Sequence, residues 1–361
     1  MTVTAPAMTR PATKTAEALE VRGVDPLESP EWDHWVSAHP ASGPFHASAW
    51  FRVLGRTYGH RARCVSLMRG SRPAALIPLV EVSSRLTGTR GVCLPFADAC
   101  DPLFFEPVDR GLMLDVLMRL AGQWRWRHVE LRGSSAVPDD SPASVEFLGH
   151  TLDLGPGVEA LLAGCDASVR RAIRKAEACG VTTEIRTDVG ALREFCTMHA
   201  LTRRRHGLPP QPERFFEAIR DAYFDSGRGA IALASHQGRP VAAAVFLVGG
   251  TRAVYKFGAS TEQASSVRGN NLAMWHGIRW LVSQGLTRLD FGRTSVAQHG
   301  LRRFKRGWGA EESPIHYHQL SPECGWQHTR DRASGLHTAL FSSLPLPVNR
   351  LLGAALYPHL D

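Results

Sequence analysis

The strongest constraint on how this chain can fold is an internal echo. Residues 70–80, GSRPAALIPLV, and residues 238–248, GRPVAAAVFLV, share an order of events: a Gly and Arg-Pro turn, then an Ala-rich apolar strand closing in Leu-Val. A second pair follows at nearly the same offset, RHVELRG at 127–133 and TRLDFGR at 287–293. Two echoes at one spacing argue for a duplicated unit of strands and helices. The expected class is α/β with mixed sheets, and 361 residues leave room for two such units, each with a core. We read residues 1–24 as a flexible leader, 25–155 as the first domain, 156–322 as the second and 323–361 as a helical tail.

Residues 252–317 are the most informative stretch. Ala253, Tyr255 and Phe257 alternate with Val254 and Lys256, the period of a pleated strand with two unlike faces. After a turn-rich loop, Asn270 or Asn271 can cap a helix on which Leu272, Trp275, Ile278 and Val282 recur at spacings of three and four. Gly285 stops it, and 287–291 reads as a second strand. Asp290 and Arg293 then stand where that strand opens into a loop, the kind of mouth at which open α/β sheets bind ligands.

Charge supplies the next clue. The net charge of +8 comes mainly from Arg, whose planar fork suits phosphate and carboxylate, so an anionic partner is expected. A helix over 166–179 buries Val169, Ala172, Ile173 and Ala176 and carries Arg170, Arg171, Arg174 and Lys175 on its other face. Like charges four apart cost roughly 0.2–0.5 kcal/mol each, which an anion would offset. The seven Cys form neither an even disulfide framework nor a CxxC pair, which points to a reducing, cytoplasmic setting. The 16 His lack metal-ligand spacing, so no metal is expected. Apolar runs are far shorter than the roughly 20 residues needed to span a bilayer, and the tail allows at most peripheral membrane contact.

The order of elements over 252–317 resembles the back half of a GNAT acyltransferase. Its end, with Gly300, Leu301, Arg303, Phe304, Lys305, Gly307, Trp308 and Gly309, resembles the terminal signature of the Fem peptidyltransferases and their BioF2-like relatives, which hold two GNAT domains in one chain. That resemblance implies an acyltransferase that forms an amide bond, with aminoacyl-tRNA as the acyl donor and Lys305 as the cation beside the ester carbonyl. Asp290 is the candidate general base. Tyr255, Lys256, Arg293, Phe304 and Trp308 are candidates to line the substrate cleft, with only one of Tyr255 and Lys256 able to face it. Asp98 and Asp101, in the loop 94–103, are candidates to hold a cationic amine.

The helix start at Arg268, Gly269, Asn270 and Asn271 is the candidate donor site, together with Arg170, Arg171, Arg174 and Lys175. GNAT enzymes that use coenzyme A place its pyrophosphate on a glycine-rich loop there. This chain has one glycine followed by two asparagines, which favours aminoacyl-tRNA over acyl-coenzyme A, the alternative donor. No tightly bound cofactor and no DNA partner are expected, and the acceptor is an amine of a small molecule, peptide or cell-envelope precursor. The reading of another class is a binding protein that keeps the fold without the chemistry.

Overall fold

A computed structural model describes residues 18–133, 135–329 and 336–360. The echo seen in the sequence corresponds to two hairpins. Cys64–Arg69 pairs with Arg72–Ile77 around the turn at Gly70, and Gly229–His236 pairs with Arg239–Gly249 around the turn at Gly238. Both glycines take positive φ, which side chains resist. The second echo is also structural. Val129–Arg132 runs parallel to Gly88–Val92, and Arg288–Asp290 runs parallel to the start of Arg252–Ser260. Each parallel pair is spanned by a helix, Arg110–Gln123 in the first unit and Gly269–Ser283 in the second. Asp109 caps the first of these, accepting from Gly111 N–H and Leu112 N–H.

The units are not separate sheets set side by side. Arg288–Asp290 pairs antiparallel with Val145–Asp153, that strand pairs with Glu311–Ser321, and Glu311–Ser321 pairs in turn with Val129–Arg132 of the first unit. A single mixed sheet of 13 strands therefore runs through both units, beside a four-stranded sheet built on Cys64–Arg69 and Arg72–Ile77. A boundary near residue 155 follows directly on a strand that both units share. Part of the expected leader is also structured: Leu19–Val24 is a strand paired with Cys64–Arg69, while residues 1–17 lie outside the described residues.

The main core is shared in the same way. Trp32, Phe45 and Trp50 of the first unit belong to one buried cluster with Phe195, Phe215 and Tyr223 of the second. Tyr223 Oη donates to Pro44 O at 2.7 Å across the junction. A second core under the helix Gly269–Ser283 holds Trp275, Leu281, Leu289, Phe291 and Trp308. The tail helices Leu336–Ser343 and Leu346–Leu356 lie against Val189–Arg205. Arg203, at the end of that helix, donates to Tyr357 Oη at 2.8 Å, so it anchors the tail. No helix among the described residues is long and apolar enough to cross a membrane.

Candidate active site

Two local irregularities build the site. The first lies in the strand Arg252–Ser260, where Val245 pairs with Phe257 and Phe246 pairs with Tyr255, leaving Lys256 as an extra residue. This bulge breaks the alternation expected from the sequence. Ala253 and Tyr255 face the second core, whereas Val254, Phe257 and Ala259 turn to the other face, into the core that both units share, and Lys256 reaches Phe96 and Asp98 of the first unit. Tyr255 packs on Phe246 and Phe291. Burial pushes its phenol up to about 12. Of the two candidates on this strand, Lys256 is the one that meets the loop 94–103.

The second irregularity is at residues 291–293. Asp290 pairs with Thr151 and Thr294 with Leu148, so three residues on one strand face two on the other. Phe291–Gly292–Arg293 bows out, with Gly292 at φ 72°. A Cβ at Gly292 would run into the Asp98 carboxylate. The parallel pairing of Arg252–Val254 with Arg288–Asp290 stops at the same level, so the two strands separate there.

Lys305 enters this gap from the short helix His299–Arg306. Its side chain is only 3% exposed, and Nζ donates to Gly292 O at 2.7 Å and Arg293 O at 3.1 Å. An ammonium has three N–H donors, so one remains. Burial lowers the ammonium to about 8, against the pull of Asp98 and Asp290.

Opposite lie the charges of the first unit's loop. Lys256, 7% exposed, donates to Phe96 O and stands 3.8 Å from Asp98 Oδ2. Arg293 Nε lies 3.9 Å from Asp98 Oδ1, its guanidinium over Phe147. Desolvation alone would raise the Asp98 carboxyl, but Lys256, Arg293, Lys305 and Arg132 together hold it below the usual range. Asp290 goes the other way: burial raises it, and the charge of Asp98 adds to this against the Gly292 N–H bond. Two neighbouring carboxyls are thus pushed apart, the pattern of an acid and base pair. Both line a cavity of about 370 Å³ between the units, with Asp101, His46, Arg252 and Arg288. Asp101 is partly committed, since its Oδ1 accepts from Ser135 N and Oγ at 2.9 and 2.7 Å.

The candidate donor residues divide. Arg171, Lys175, Arg268 and Asn271 line one groove of about 500 Å³ with Arg303 and Phe304. Arg170 and Arg174 are not in that lining. Arg170 donates to Ala163 O at 2.8 Å and to Cys165 O, holding the start of its own helix, and Arg174 Nε reaches back to Arg170 O at 3.4 Å. Arg268 takes a left-handed conformation at φ 58° and the helix starts at Gly269, so Asn270 and Asn271 lie inside the first turn and neither caps it. Gly269 is buried against Val241.

Phe304 and Trp308 pack edge to face on each other at 6.3 Å, and Trp308 belongs to the second core. Lys305 is buried at the bowed strand, where Gly292 and Arg293 hold its ammonium. The helix His299–Arg306 separates the hollows: Arg303 and Phe304 face the groove, and Lys305 reaches the Gly292 turn that lines the cavity.

Sequence reasoning missed His150. It is fully buried, its Nε2 is 3.0 Å from Glu312 Oε2, and Arg302 grips Glu312 at 2.8 and 3.0 Å. This run of contacts ties the helix of Lys305 to Val145–Asp153, the seam strand at the junction of the units. Burial, and then the Lys305 charge, depress the imidazole, so it is neutral near pH 7. A lone His within an extended segment gave no signal of this.

Comparison with known proteins fits this architecture. Residues 164–311 match the family described as acetyltransferase (GNAT) domain. No curated protein sequence matches. Among solved structures, FemX is similar at a TM-score of 0.65 and 16% identity, over 82% of this chain and 96% of its own. The L-PGS of Bacillus licheniformis is similar at 0.54 and 15% identity, over 93% and 98%. A tandem GNAT protein from the clavulanic acid biosynthesis pathway is similar at 0.52 and 10% identity, over 84% and 99%. Residues 164–311 thus match a GNAT acetyltransferase domain, and with a second unit fused to it through one sheet the whole chain has the fold shared by FemX and the tandem GNAT protein.

Proposed function

We propose that the protein forms amide bonds by moving an activated acyl group, an aminoacyl group carried on tRNA, onto an amine held in the cavity between the units. The observation that carries this reading is Lys305: a buried ammonium with a donor to spare, between a cationic groove and a carboxylate-lined cavity. The acceptor enters as an ammonium drawn by Asp98 and Asp290. Asp290, whose carboxyl is raised by burial, takes its proton. The freed nitrogen attacks the acyl carbonyl, a C–N bond forms, and the oxyanion meets the third N–H of Lys305. Collapse breaks the ester C–O bond; the departing ribose oxygen takes the proton held by Asp290, and the nitrogen of the new amide gives up its second proton to the freed carboxylate, from which it passes to water.

Two features favour tRNA over acyl-coenzyme A as donor. Asn270 and Asn271 follow Gly269 where a pyrophosphate loop needs small residues. The groove also brings together four cations, Arg171, Lys175, Arg268 and Arg303, a spread suited to a backbone of several phosphates. The test offers the intact protein aminoacyl-tRNA and acyl-coenzyme A separately, with a panel of primary amines, and detects amide products by mass spectrometry. Amides from aminoacyl-tRNA are expected. Amides from acyl-coenzyme A alone would make the protein an ordinary N-acyltransferase, and binding with no product from either donor would make it a binding protein.

A further inference from the structure

The acceptor cavity carries a charge pattern that an amine alone does not satisfy. Arg252 and Arg288 stand in direct register on the two parallel strands, and both line the cavity. Their alternates, Ala253 and Leu289, point into the second core, so the two guanidiniums share the opposite face with Val254 and Asp290. Like charges directly paired on neighbouring strands are destabilising. Neither guanidinium has a hydrogen bond or ion pair among the described residues. Asp153, the residue paired with Arg288 on the seam strand, instead accepts from Gly155 N at 2.9 Å. Two adjacent cations thus line the cavity with Asp98 and Asp290, and the one carboxylate whose charge reaches both of them, Asp290, is itself raised by burial, which leaves two guanidiniums to one weakly ionised acid.

We infer that the acceptor is a bifunctional molecule, an amine at one end and a carboxylate or phosphate at the other, with Arg252 and Arg288 gripping the anionic end while the amine lies at Asp98 and Asp290. This inference rests on the reading of the cavity as the acceptor site. Arg288 and Asp290 are two residues apart on one strand, which sets the two ends roughly 6–7 Å apart along the backbone. The same two arginines also border a second hollow of about 640 Å³, so an acceptor longer than the cavity can continue outward past its anionic group. A paired guanidinium site recognises planar carboxylate and tetrahedral phosphate alike.

The test measures binding to the full chain by calorimetry. The probes are 6-aminohexanoate and 4-aminobutyl phosphate, the neutral counterpart 6-aminohexanamide, and hexanoate, which lacks the amine. 6-Aminohexanoate should bind at least about tenfold tighter than 6-aminohexanamide, as expected for charge-assisted bonds to two guanidiniums. The stronger of the two anionic amines identifies the anion. The double variant Arg252→Gln/Arg288→Gln should erase that difference and leave the amide's affinity unchanged, whereas Asp290→Asn should weaken both amines.

If acid and amide bind equally while Asp290→Asn still weakens both, the inference falls and the acceptor site stands. If no amine binds better than hexanoate, the acceptor site falls and the inference with it. The ligand-free double variant should melt no lower than wild type, because a repulsive contact has been removed. A drop of several degrees would mean that the arginines serve the fold, and would overturn the inference.

Discussion

Replacing Lys305 with Met should separate catalysis from stability, because the structural costs nearly cancel. The substitution removes two charge-assisted bonds, to Gly292 O and Arg293 O, each worth about 1.5–3 kcal/mol. It also removes a buried charge. Depression of the ammonium to about 8 from the ordinary lysine value means that burial, after the pull of Asp98 and Asp290, leaves a net cost of roughly 3 kcal/mol for the charged form in the folded state at neutral pH. The net change is then within about 2–3 kcal/mol, and Tm should move by only a few degrees. Turnover should fall about 100- to 1,000-fold, because the third N–H acts on an oxyanion present only in the transition state. Lys305→Gln keeps a neutral donor for one carbonyl without the charge, so it should melt near wild type and stay slow. The assay is single-turnover amide formation with saturating donor and acceptor, alongside a thermal melt. Recovery of wild-type turnover by Lys305→Gln, or a raised KM with unchanged turnover in Lys305→Met, would refute the argument.

Four further outcomes follow from the geometry. The ammonium of Lys305 lies at about 8, so kcat in the chemical step should decline as pH rises through that value, and Lys305→Arg, charged throughout, should lose this alkaline limb while remaining slow. Stability should change in the opposite sense: between about pH 8 and 10.5 the unfolded chain binds more protons than the folded one at this group, so its contribution to stability rises with pH across that window, as a denaturant series compared with Lys305→Met would show. In the groove, Arg171→Ala and Arg303→Ala should each raise KM for the donor and flatten its salt dependence at unchanged kcat, whereas Arg170→Ala, which uncaps Ala163 O and Cys165 O, should lower Tm without altering the salt slope. Residues 1–155 and 156–361 expressed apart should be insoluble or melt without cooperativity. The first fragment lacks Glu311–Ser321 between its two seam strands, and both lose the shared core around Trp50 and Tyr223; two soluble fragments melting at the intact temperature would overturn this.

What could be read from the sequence follows from how far each signal reaches along the chain. The hairpin turns at Gly70 and Gly238 and the helix Gly269–Ser283 carry their patterns within a dozen residues, and they lie where the periodicity put them. Lys305, Asp290 and Arg293 fall within 16 residues of sequence, and a short helix folding back on a strand end brings them together. The bulge at Lys256 was not legible, because an extra residue in a strand leaves its composition unchanged and reverses the facing of every later side chain. Arg252 and Arg288 each look like a solvated strand-end cation, and only parallel register makes them neighbours. Trp308, three residues beyond Lys305, enters the second core and borders the hollow next to Arg252 and Arg288, a placement set by tertiary packing that the local pattern does not carry.

The bow at residues 291–293 links the fold and the chemistry. Without it Arg288–Asp290 would continue along the seam strand to Thr294, and the carbonyls of Gly292 and Arg293 would have no reason to turn toward the helix His299–Arg306. Once turned, they need a buried donor, since an unpaired carbonyl away from water is costly. Lys305 supplies that donor, and the carbonyls in turn offset part of the cost of burying its charge. The same bow brings Gly292 against Asp98, so that only a residue without a side chain lets the first unit's loop 94–103 close on the second unit. The cavity and the orientation of the ammonium therefore depend on one local irregularity, and a change that straightened it would remove both together, while the shared sheet and core would still join the units.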